Sequence, residues 1–363
     1  MGLKTAIKTA LMRNIMKKRK AAAAFDEVLS EHYQTPDDAG EDMNNSYYFS
    51  AHTWDGGALF VRYAQRGGGD KAMAEVWAAY RAADGTAFVN QNCLYKLSES
   101  PMGVKCVTPL REWQFFFKGE MAPVAPFGEE LIARPIGEPV FAELSGTFTS
   151  KNGLYEFSRE TDDMAFCRAV AAEKWKKGFS DDLNRESQTH IEQDGHIKAV
   201  LNVGGKEYKI DAQAVRDHSY GRRVWSYMNR HTWRIALLED GSLLNTNVVR
   251  YPALNVRGLK CGYKMKDGVM ANVTDVIFHG GAALDGLPLR EDEYTVKYSD
   301  GSEIKHEFKA DIAFPFEFDD KYGKYIIYEG ISSFIIGGVK GRGITEFGFN
   351  GDKGRYESPK MGD

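Results

Sequence analysis

The sequence lacks the segments that would carry a chain into or across a membrane. It contains no apolar run of the roughly 18–20 residues that a bilayer span requires. Lysines and arginines interrupt the apolar residues near the start, so no signal-peptide core is present. The four cysteines show no CxxC spacing and no disulfide framework for a chain of 363 residues. We therefore expect a cytoplasmic protein with free, mostly buried thiols.

Motifs for nucleotides, metals and nucleophilic serines are also missing. The glycine-rich stretches RGGGD (66–70) and GGVKGRG (337–343) lack the P-loop and dinucleotide-binding orders, and no G-x-S-x-G occurs. The eight histidines form no H-x-H or H-E-x-x-H pair. A net charge of −4 and a pI near 6.1 exclude a basic nucleic-acid-binding surface. We expect no cofactor, no metal and no nucleic-acid partner.

Proline is scarce, at 11 residues, whereas glycine is abundant, at 37, which is typical of many strands joined by glycine turns. Alternating apolar and polar runs flank Asp-Gly pairs, which favour hairpins, at 55–56, 84–85, 240–241, 267–268 and 300–301. One stretch rich in alanine and charge, 161–187, predicts a helical insertion. The pattern indicates a mainly all-β protein built from sandwiches or up-and-down barrels.

Residues 1–33 differ in composition from the rest of the chain. Their first 20 residues contain seven Lys or Arg and no acid. Leu3, Ile7, Leu11 and Ile15 recur every four residues, so an amphipathic helix would carry them as one stripe. Two interpretations stay open: the stripe packs on the protein itself, or residues 1–20 make a peripheral membrane contact with anionic lipid. The polar, acidic residues 34–45 predict a linker.

One segment gathers most of the chemically active side chains. Residues 216–237, RDHSYGRRVWSYMNRHTWRIAL, contain two histidines, two tryptophans, two tyrosines and five arginines. Side chains two apart in a strand share a face. This alternation predicts three sets that share faces: His218, Tyr220 and Arg222; His231 and Trp233; Asn245 and Asn247.

Imidazole, phenol, indole and amide groups around one pocket would suit proton transfer at a lipophilic carbon skeleton. Histidine exchanges protons near neutral pH, and an indole face stabilises a developing cation. Such a set performs hydration, dehydration or double-bond isomerisation without a cofactor. A structural interpretation stays open, in which the arginines form ion pairs and the histidines only pack. Glu346 has two interpretations as well, a buried general acid with a raised pKa or an ion-pair partner.

Around this segment the chain resembles the tandem lipocalin-like family that includes carotenoid 1,2-hydratase (hydroxyneurosporene synthase). The family motif R-D-H-x-W-G, often followed by R-D-W, is matched by RDHSYG at 216–221 and then by Arg223 and Trp225. Tyr220 stands in place of tryptophan, and Val224 in place of aspartate. HIEQDGHI (190–197) and GRGITEFGF (341–349) resemble the family's preceding and closing segments. The resemblance implies two lipocalin-like antiparallel β-barrels, at 46–205 and 206–363, after the helix at 1–33 and the linker at 34–45.

The resemblance also implies where a site lies. The family's proposed active-site histidine, and the aromatic residue two positions later, fall on His218 and Tyr220. A tyrosine and an aspartate on a following strand fall near Asn245 and Asn247, where amides replace the acid. We therefore predict His218, Tyr220 and His231 as proton-transfer residues. We predict a substrate-binding wall from Trp233, Asn245, Asn247, Arg222 and Trp225.

Two functions of different classes stay open. The first is a cofactor-independent lyase (hydratase or dehydratase) or isomerase that acts on an isoprenoid, steroid or polyketide-like substrate. The second is a non-catalytic carrier of a hydrophobic small molecule, which lipocalin-like barrels also suit. Replacement of the family's acid by amides favours the carrier.

Overall fold

A computed structural model of the chain describes residues 2–22, 25–126, 131–175, 177–179, 188–251, 254, 257–279, 286–320 and 323–350. Most of these residues lie in strands, and the predicted all-β, lipocalin-like fold is confirmed. The chain forms two compact units. The N-terminal unit comprises Phe25–Glu156 and Gln188–Arg223, and the C-terminal unit comprises Met1–Ala24, Phe157–Ser187 and Val224–Asp363.

The N-terminal unit contains a 12-stranded sheet. Its strands are Met43–His52 (β1), Ala58–Arg66 (β2), Met73–Arg81 (β3), Ala87–Asn90 (β4), Leu94–Lys96 (β5), Met102–Thr108 (β6), Glu112–Pro126 (β7), Ala133–Pro135 (β8), Val140–Thr149 (β9), Tyr155–Glu156 (β10), Gln188–Val203 (β11) and Lys206–Arg222 (β12). Because β9 pairs with both β7 and β11, the hydrogen bonding runs in a closed circuit through β11, β12, β1, β2, β3, β4 and β7. Phe49, Phe115 and Phe148 are buried in its core.

The C-terminal unit contains a closed antiparallel barrel in which strands adjacent in sequence are adjacent in space. Its strands are Arg230–Leu238 (β13), Leu243–Arg250 (β14), Leu259–Lys266 (β15), Val269–Phe278 (β16), Glu291–Tyr298 (β17), Glu303–Asp320 (β18), Gly323–Ile336 (β19) and Val339–Asn350 (β20). β13 pairs with β20 and closes the barrel. This up-and-down order removes free strand edges.

All five predicted Asp-Gly hairpins are confirmed. The glycines of these turns have φ between 76° and 97°, a left-handed conformation that glycine adopts without steric cost. In the turns at 55–56, 84–85, 240–241 and 300–301 the aspartate accepts a hydrogen bond from the backbone two residues on. Asp84 accepts from the Thr86 N–H at 2.9 Å, and Asp240 accepts from the Ser242 N–H at 3.0 Å. Each turn is therefore specified by local chemistry.

The helices are Leu3–Ala22 (α1), Glu27–Glu31 (α2), Phe157–Glu160 (α3) and Asp163–Ala172 (α4). Asp162 caps α4, because its Oδ1 accepts from the Ala165 N–H at 2.7 Å. The helical insertion predicted at 161–187 is confirmed for α4, and residues 176 and 180–187 lie outside the described residues. In the part of the chain that the structure describes, no helix combines the length and apolar character that a bilayer crossing requires.

The apolar stripe predicted on α1 does not pack on the C-terminal unit that contains it. Its four members are between 36% and 78% exposed: Leu3, Ile7, Leu11 and Ile15. The helix packs through a different face, on which Thr9 and Met12 are buried. Met12 contacts a small core with Cys167 and Val170 of α4. The interpretation that the stripe packs on its own unit is therefore wrong, because another set of residues at helical spacing fits α4.

The predicted domain boundary between 205 and 206 differs from the observed division between the units. β12 pairs with β11 along its full length and with β1 beyond residue 212, so it belongs to the N-terminal unit. The chain enters the C-terminal barrel only after Arg223. Residues 1–24 and 157–187 also belong to the C-terminal unit, although they precede it in sequence. The predicted linker at 34–45 ends inside β1, which begins at Met43.

Candidate functional site

Alternation along β12 divides the family-like motif between the two faces of its sheet. Arg216 and His218 lie on the core side, with the Arg216 guanidinium 5.4 Å from the centre of the Trp113 ring. Asp217 and Ser219 lie on the opposite side, where the Ser219 hydroxyl donates to Asp217 Oδ1 at 3.0 Å. This is the alternation that the sequence predicts, and it prevents Asp217 from orienting His218.

His218 is fully buried and stacked in the N-terminal unit. Its ring centre lies 4.2 Å from that of Tyr47, and its Nε2 lies 3.0 Å from Asn45 Oδ1, to which it donates. Burial first, and then the charge of Arg216, lower the pKa of His218 to about 3, although Asp217 acts in the opposite direction. An imidazole with so low a pKa is neutral near pH 7 and is a weak base, because burial disfavours its protonated form. The environment of His218 therefore opposes the predicted proton-transfer role.

Tyr220 and Arg222, which the sequence places on the same face as His218, are engaged in other contacts. The Tyr220 ring stacks on Tyr33 at 4.0 Å with an interplanar angle of 15°. Burial raises the pKa of Tyr220. Arg222 Nε donates to Asp42 Oδ2 at 2.6 Å in an exposed ion pair. These contacts are typical of a strand end and give Arg222 a surface role.

One group in the N-terminal unit has metal-ligand side chains. The candidate ligand atoms of His190, Glu192 and Asp217 lie within 4.8 Å of one another, and His190 forms an ion pair with Asp217. Burial disfavours the charged imidazole, but Asp217 and then Glu192 outweigh this effect and raise the pKa of His190, while Arg223 opposes them. Protonation of His190 would prevent metal binding, and Arg223 would repel a cation. The group therefore fits an internal ion pair better than a metal.

In the C-terminal unit, β13 separates its side chains into inward and outward sets. Arg234 points into the barrel, since its guanidinium lies within 5.6 Å of the ring centres of Phe278, Tyr294, Phe308 and Phe347. His231 and Trp233 therefore face outward, and the register places Asn245 and Asn247 on the same face. Asn247 Nδ2 donates to Asn245 Oδ1 at 2.6 Å. The shared face is the predicted one, but it lies outside the barrel and not in its hollow.

Three side chains on this outward face form a hydrogen-bonded chain. Tyr325 Oη lies 2.7 Å from His231 Nδ1, and His231 Nε2 bonds to Glu346 Oε1. With the Nε2 proton directed at the carboxylate, Nδ1 accepts from the Tyr325 hydroxyl. Burial first, and then the charge of Glu346, raise the pKa of Tyr325 well above its usual value. We call this set the relay, because a phenol, an imidazole and a carboxylate in series can pass a proton.

Aromatic packing and one glycine hold the relay in place. The Trp225 ring centre lies 5.9 Å from that of Tyr325, 6.4 Å from that of His231 and 5.0 Å from that of Phe318. A side chain at Gly348 would collide with the His231 ring and the Tyr325 hydroxyl. Trp225, predicted as part of a substrate wall, therefore packs against the relay itself.

A cavity lies inside the barrel, on the face of β13 opposite to the one that carries the relay side chains. It offers about 40 Å³ to the centres of water molecules and is lined by Arg230, Arg234 and Arg250, with Asp292 as the one acid among the lining residues. The rest of the lining is mainly apolar: Val248, Phe278, Leu289, Phe347 and Phe349. Of the predicted site residues, His231 lines this cavity, whereas Trp233, Asn245 and Asn247 do not.

The structure adds functional candidates that the sequence interpretation missed. Tyr325 is 94 residues from His231 in the chain, and no local pattern marks it among the 18 tyrosines. Arg230 and Arg250 pair directly across the β13–β14 hairpin. Both are ten residues from residue 240 in the turn, so the sequence alone could have predicted that they face each other. Glu346, which had two interpretations, is hydrogen bonded to His231.

Comparison with known proteins agrees with this architecture. The model of a domain family of unknown function, DUF7064, matches residues 27–351, and no curated protein matches the chain. A Nitrosomonas europaea protein assigned as AttH is similar with a TM-score of 0.51 and 12% identity, over 89% of this chain and 97% of its own. Kievitone hydratase from Nectria haematococca is similar with a TM-score of 0.52 and 12% identity, over 90% and 94%. The predicted resemblance to the lipocalin-like group is confirmed at the level of fold.

Proposed function

We propose that this chain, which belongs to the DUF7064 family of unknown function, is a cofactor-independent hydratase, dehydratase or isomerase of a lipophilic substrate. The observation that carries the proposal is the relay of Tyr325, His231 and Glu346, which places a phenol, an imidazole and a carboxylate in one hydrogen-bonded series. The similarity in fold to a protein named as a hydratase supports the choice of reaction class.

The relay accounts for proton transfer in both directions. When the Tyr325 oxygen takes a proton from substrate, its own proton passes to His231 Nδ1, and Glu346 stabilises the imidazolium. In the reverse direction Tyr325 protonates an alkene carbon or a leaving hydroxyl. Dehydration removes one proton from carbon and gives one to the departing oxygen, so it consumes no net proton.

A non-catalytic carrier of a hydrophobic ligand is the second candidate. The amides of Asn245 and Asn247 favour it, because the family resemblance places an acid there. The neutral state of buried His218 favours it as well. The two candidates differ in one measurable property, since only the enzyme exchanges ligand protons with solvent.

Heavy water separates the two candidates. Native mass spectrometry identifies a ligand that co-purifies with the protein, and the ligand is then incubated with fresh protein in D₂O. We expect deuterium incorporation or gain or loss of water, slowed at least about 100-fold by Tyr325→Phe and by His231→Gln. His279→Gln, which removes an exposed histidine from the same unit, should retain the wild-type rate. An unaltered ligand supports the carrier, and an undiminished rate in His231→Gln rejects the relay.

A further inference from the structure

The cavity of the C-terminal unit is lined by three arginines and one acidic residue. Arg230 and Arg250 are directly opposite in the β13–β14 pair, so both project onto the interior face that Arg234 shares. Asp292 Oδ2 accepts from Arg234 Nη2 at 3.3 Å. Like charges at directly opposed positions of a sheet repel each other.

Several of the guanidinium N–H groups in this cavity are buried without partners. Arg234 and Arg250 are 3% and 2% exposed. Arg234 Nε and Nη1 and Arg250 Nη1 have no hydrogen-bond partner among the residues that the structure describes. Burial first, and then the charge of Arg230, lower the pKa of Arg250 to about 10, although the charge of Glu173 acts in the opposite direction, so Arg250 remains charged near pH 7. Unpartnered buried donors are destabilising, and an anionic ligand would satisfy them.

We propose that this cavity binds the carboxylate of an amphiphilic ligand through Arg234 and Arg250. A planar carboxylate accepts two parallel N–H bonds from a guanidinium. The 40 Å³ open to water centres holds roughly three waters, which is the size of such a head group. Phe278 and Phe349 offer apolar surface to the hydrocarbon part. The inference goes beyond the proposed function and does not rest on it, because the cavity and the relay lie on opposite faces of β13.

A charged and a neutral form of one probe test the proposal. We compare cis-parinaric acid, a fluorescent fatty acid, with its methyl ester by fluorescence titration. The acid should bind at least about tenfold more tightly, and this preference should disappear in Arg250→Met and Arg234→Met. Arg342→Met, which removes a partly exposed arginine of the same barrel, should keep it. Equal binding of acid and ester, binding of neither, or a preference that survives Arg250→Met overturns the proposal.

Stability and turnover separate the ligand role from a structural role. Arg250→Met removes a buried guanidinium whose Nη1 has no hydrogen-bond partner among the described residues, so the ligand-free variant should melt close to the wild-type temperature or above it. A structural ion-pair role predicts a lower melting temperature. His231→Gln should lose turnover and keep the preference for the acid. Failure of the carboxylate site and failure of the relay are therefore distinguishable.

An independent observation on α1 carries a second proposal. The exposed stripe on α1 lies on the side away from Thr9 and Met12, which hold the helix on α4. The helix contains no acidic residue, and Lys4, Arg13 and Lys17 are exposed. An apolar face flanked by cations lies favourably in the headgroup layer of an anionic bilayer. We infer that α1 docks the C-terminal unit on an anionic lipid surface.

Vesicle sedimentation of the full chain tests this docking. We expect binding to phosphatidylserine–phosphatidylcholine vesicles and at least about tenfold weaker binding to pure phosphatidylcholine. Ile7→Glu with Leu11→Glu should weaken binding to the anionic vesicles by a similar factor. Val269→Glu, at a residue 75% exposed in a barrel turn, should not. The inference is overturned if the wild-type chain does not bind the vesicles. In that case, self-association of the wild type that the helix variants abolish would show that the exposed stripe contacts a second copy of the chain instead.

Discussion

At the scale of single residues, burial keeps two of the histidines neutral. His218 and His306 are almost completely buried, and burial first, then the charge of a nearby arginine, lowers the pKa of each to about 3. His231 is buried as well, but both of its ring nitrogens are hydrogen bonded, one to the Tyr325 hydroxyl and the other to the Glu346 carboxylate. The sequence ranks His218 and His231 equally, because residue type and spacing contain no information about desolvation.

The two buried histidines predict a loss of stability in mild acid. Each stays neutral in the folded protein, while the unfolded chain takes up a proton near pH 6.5. The free energy of unfolding is therefore fully retained above that pH and falls toward pH 3, by about 1.4 kcal/mol per pH unit for each histidine. Urea unfolding between pH 7 and pH 4 measures the slope. His218→Phe, which keeps a ring against Tyr47, should reduce it by about one proton, and exposed His32→Gln should not. An unchanged slope in His218→Phe would contradict the low pKa.

At the scale of elements, turns and strands could be predicted, whereas some packed faces could not. An Asp-Gly turn needs only its own residues, and strand alternation needs only neighbours, so both follow from local sequence. The packed face of α1 depends on α4, which lies more than a hundred residues later. The exposed stripe and the face that contains Met12 are both arranged at helical spacing. Only packing against α4 determines which of the two faces is buried.

The candidate site could be predicted as a set of chemical groups but not as a set of residues. His231 and its face shared with Trp233 follow from local alternation. Which face points into the barrel depends on how β13 closes on β20, and that is a long-range property. The phenol of the relay comes from β19 and the carboxylate from β20. The prediction of Tyr220 rests on strand alternation and on the family resemblance, neither of which contains information about Tyr325.

At the scale of the whole molecule, the chain passes between its two units after residues 24, 156, 187 and 223. A boundary drawn from a family-like motif assumes that each unit is one continuous segment. Strand pairing overrides that assumption here, because β12 lies between β1 and β11 in the sheet. The closed circuit of the N-terminal unit therefore depends on the strand that the sequence assigned to the second domain.

This dependence predicts how two fragments behave. Fragment 1–223 retains all strands of the N-terminal sheet, whereas fragment 1–205 lacks β12 and leaves β1 and β11 with unpaired edges. Hydrogen exchange should show protected β1 and β11 amides in the longer fragment and exchange close to that of an unfolded chain in the shorter one. Both fragments contain 1–24 and 157–187 of the C-terminal unit, so the difference reports on residues 206–223 alone. Equal protection would show that the sheet tolerates the loss and would favour the boundary at 205.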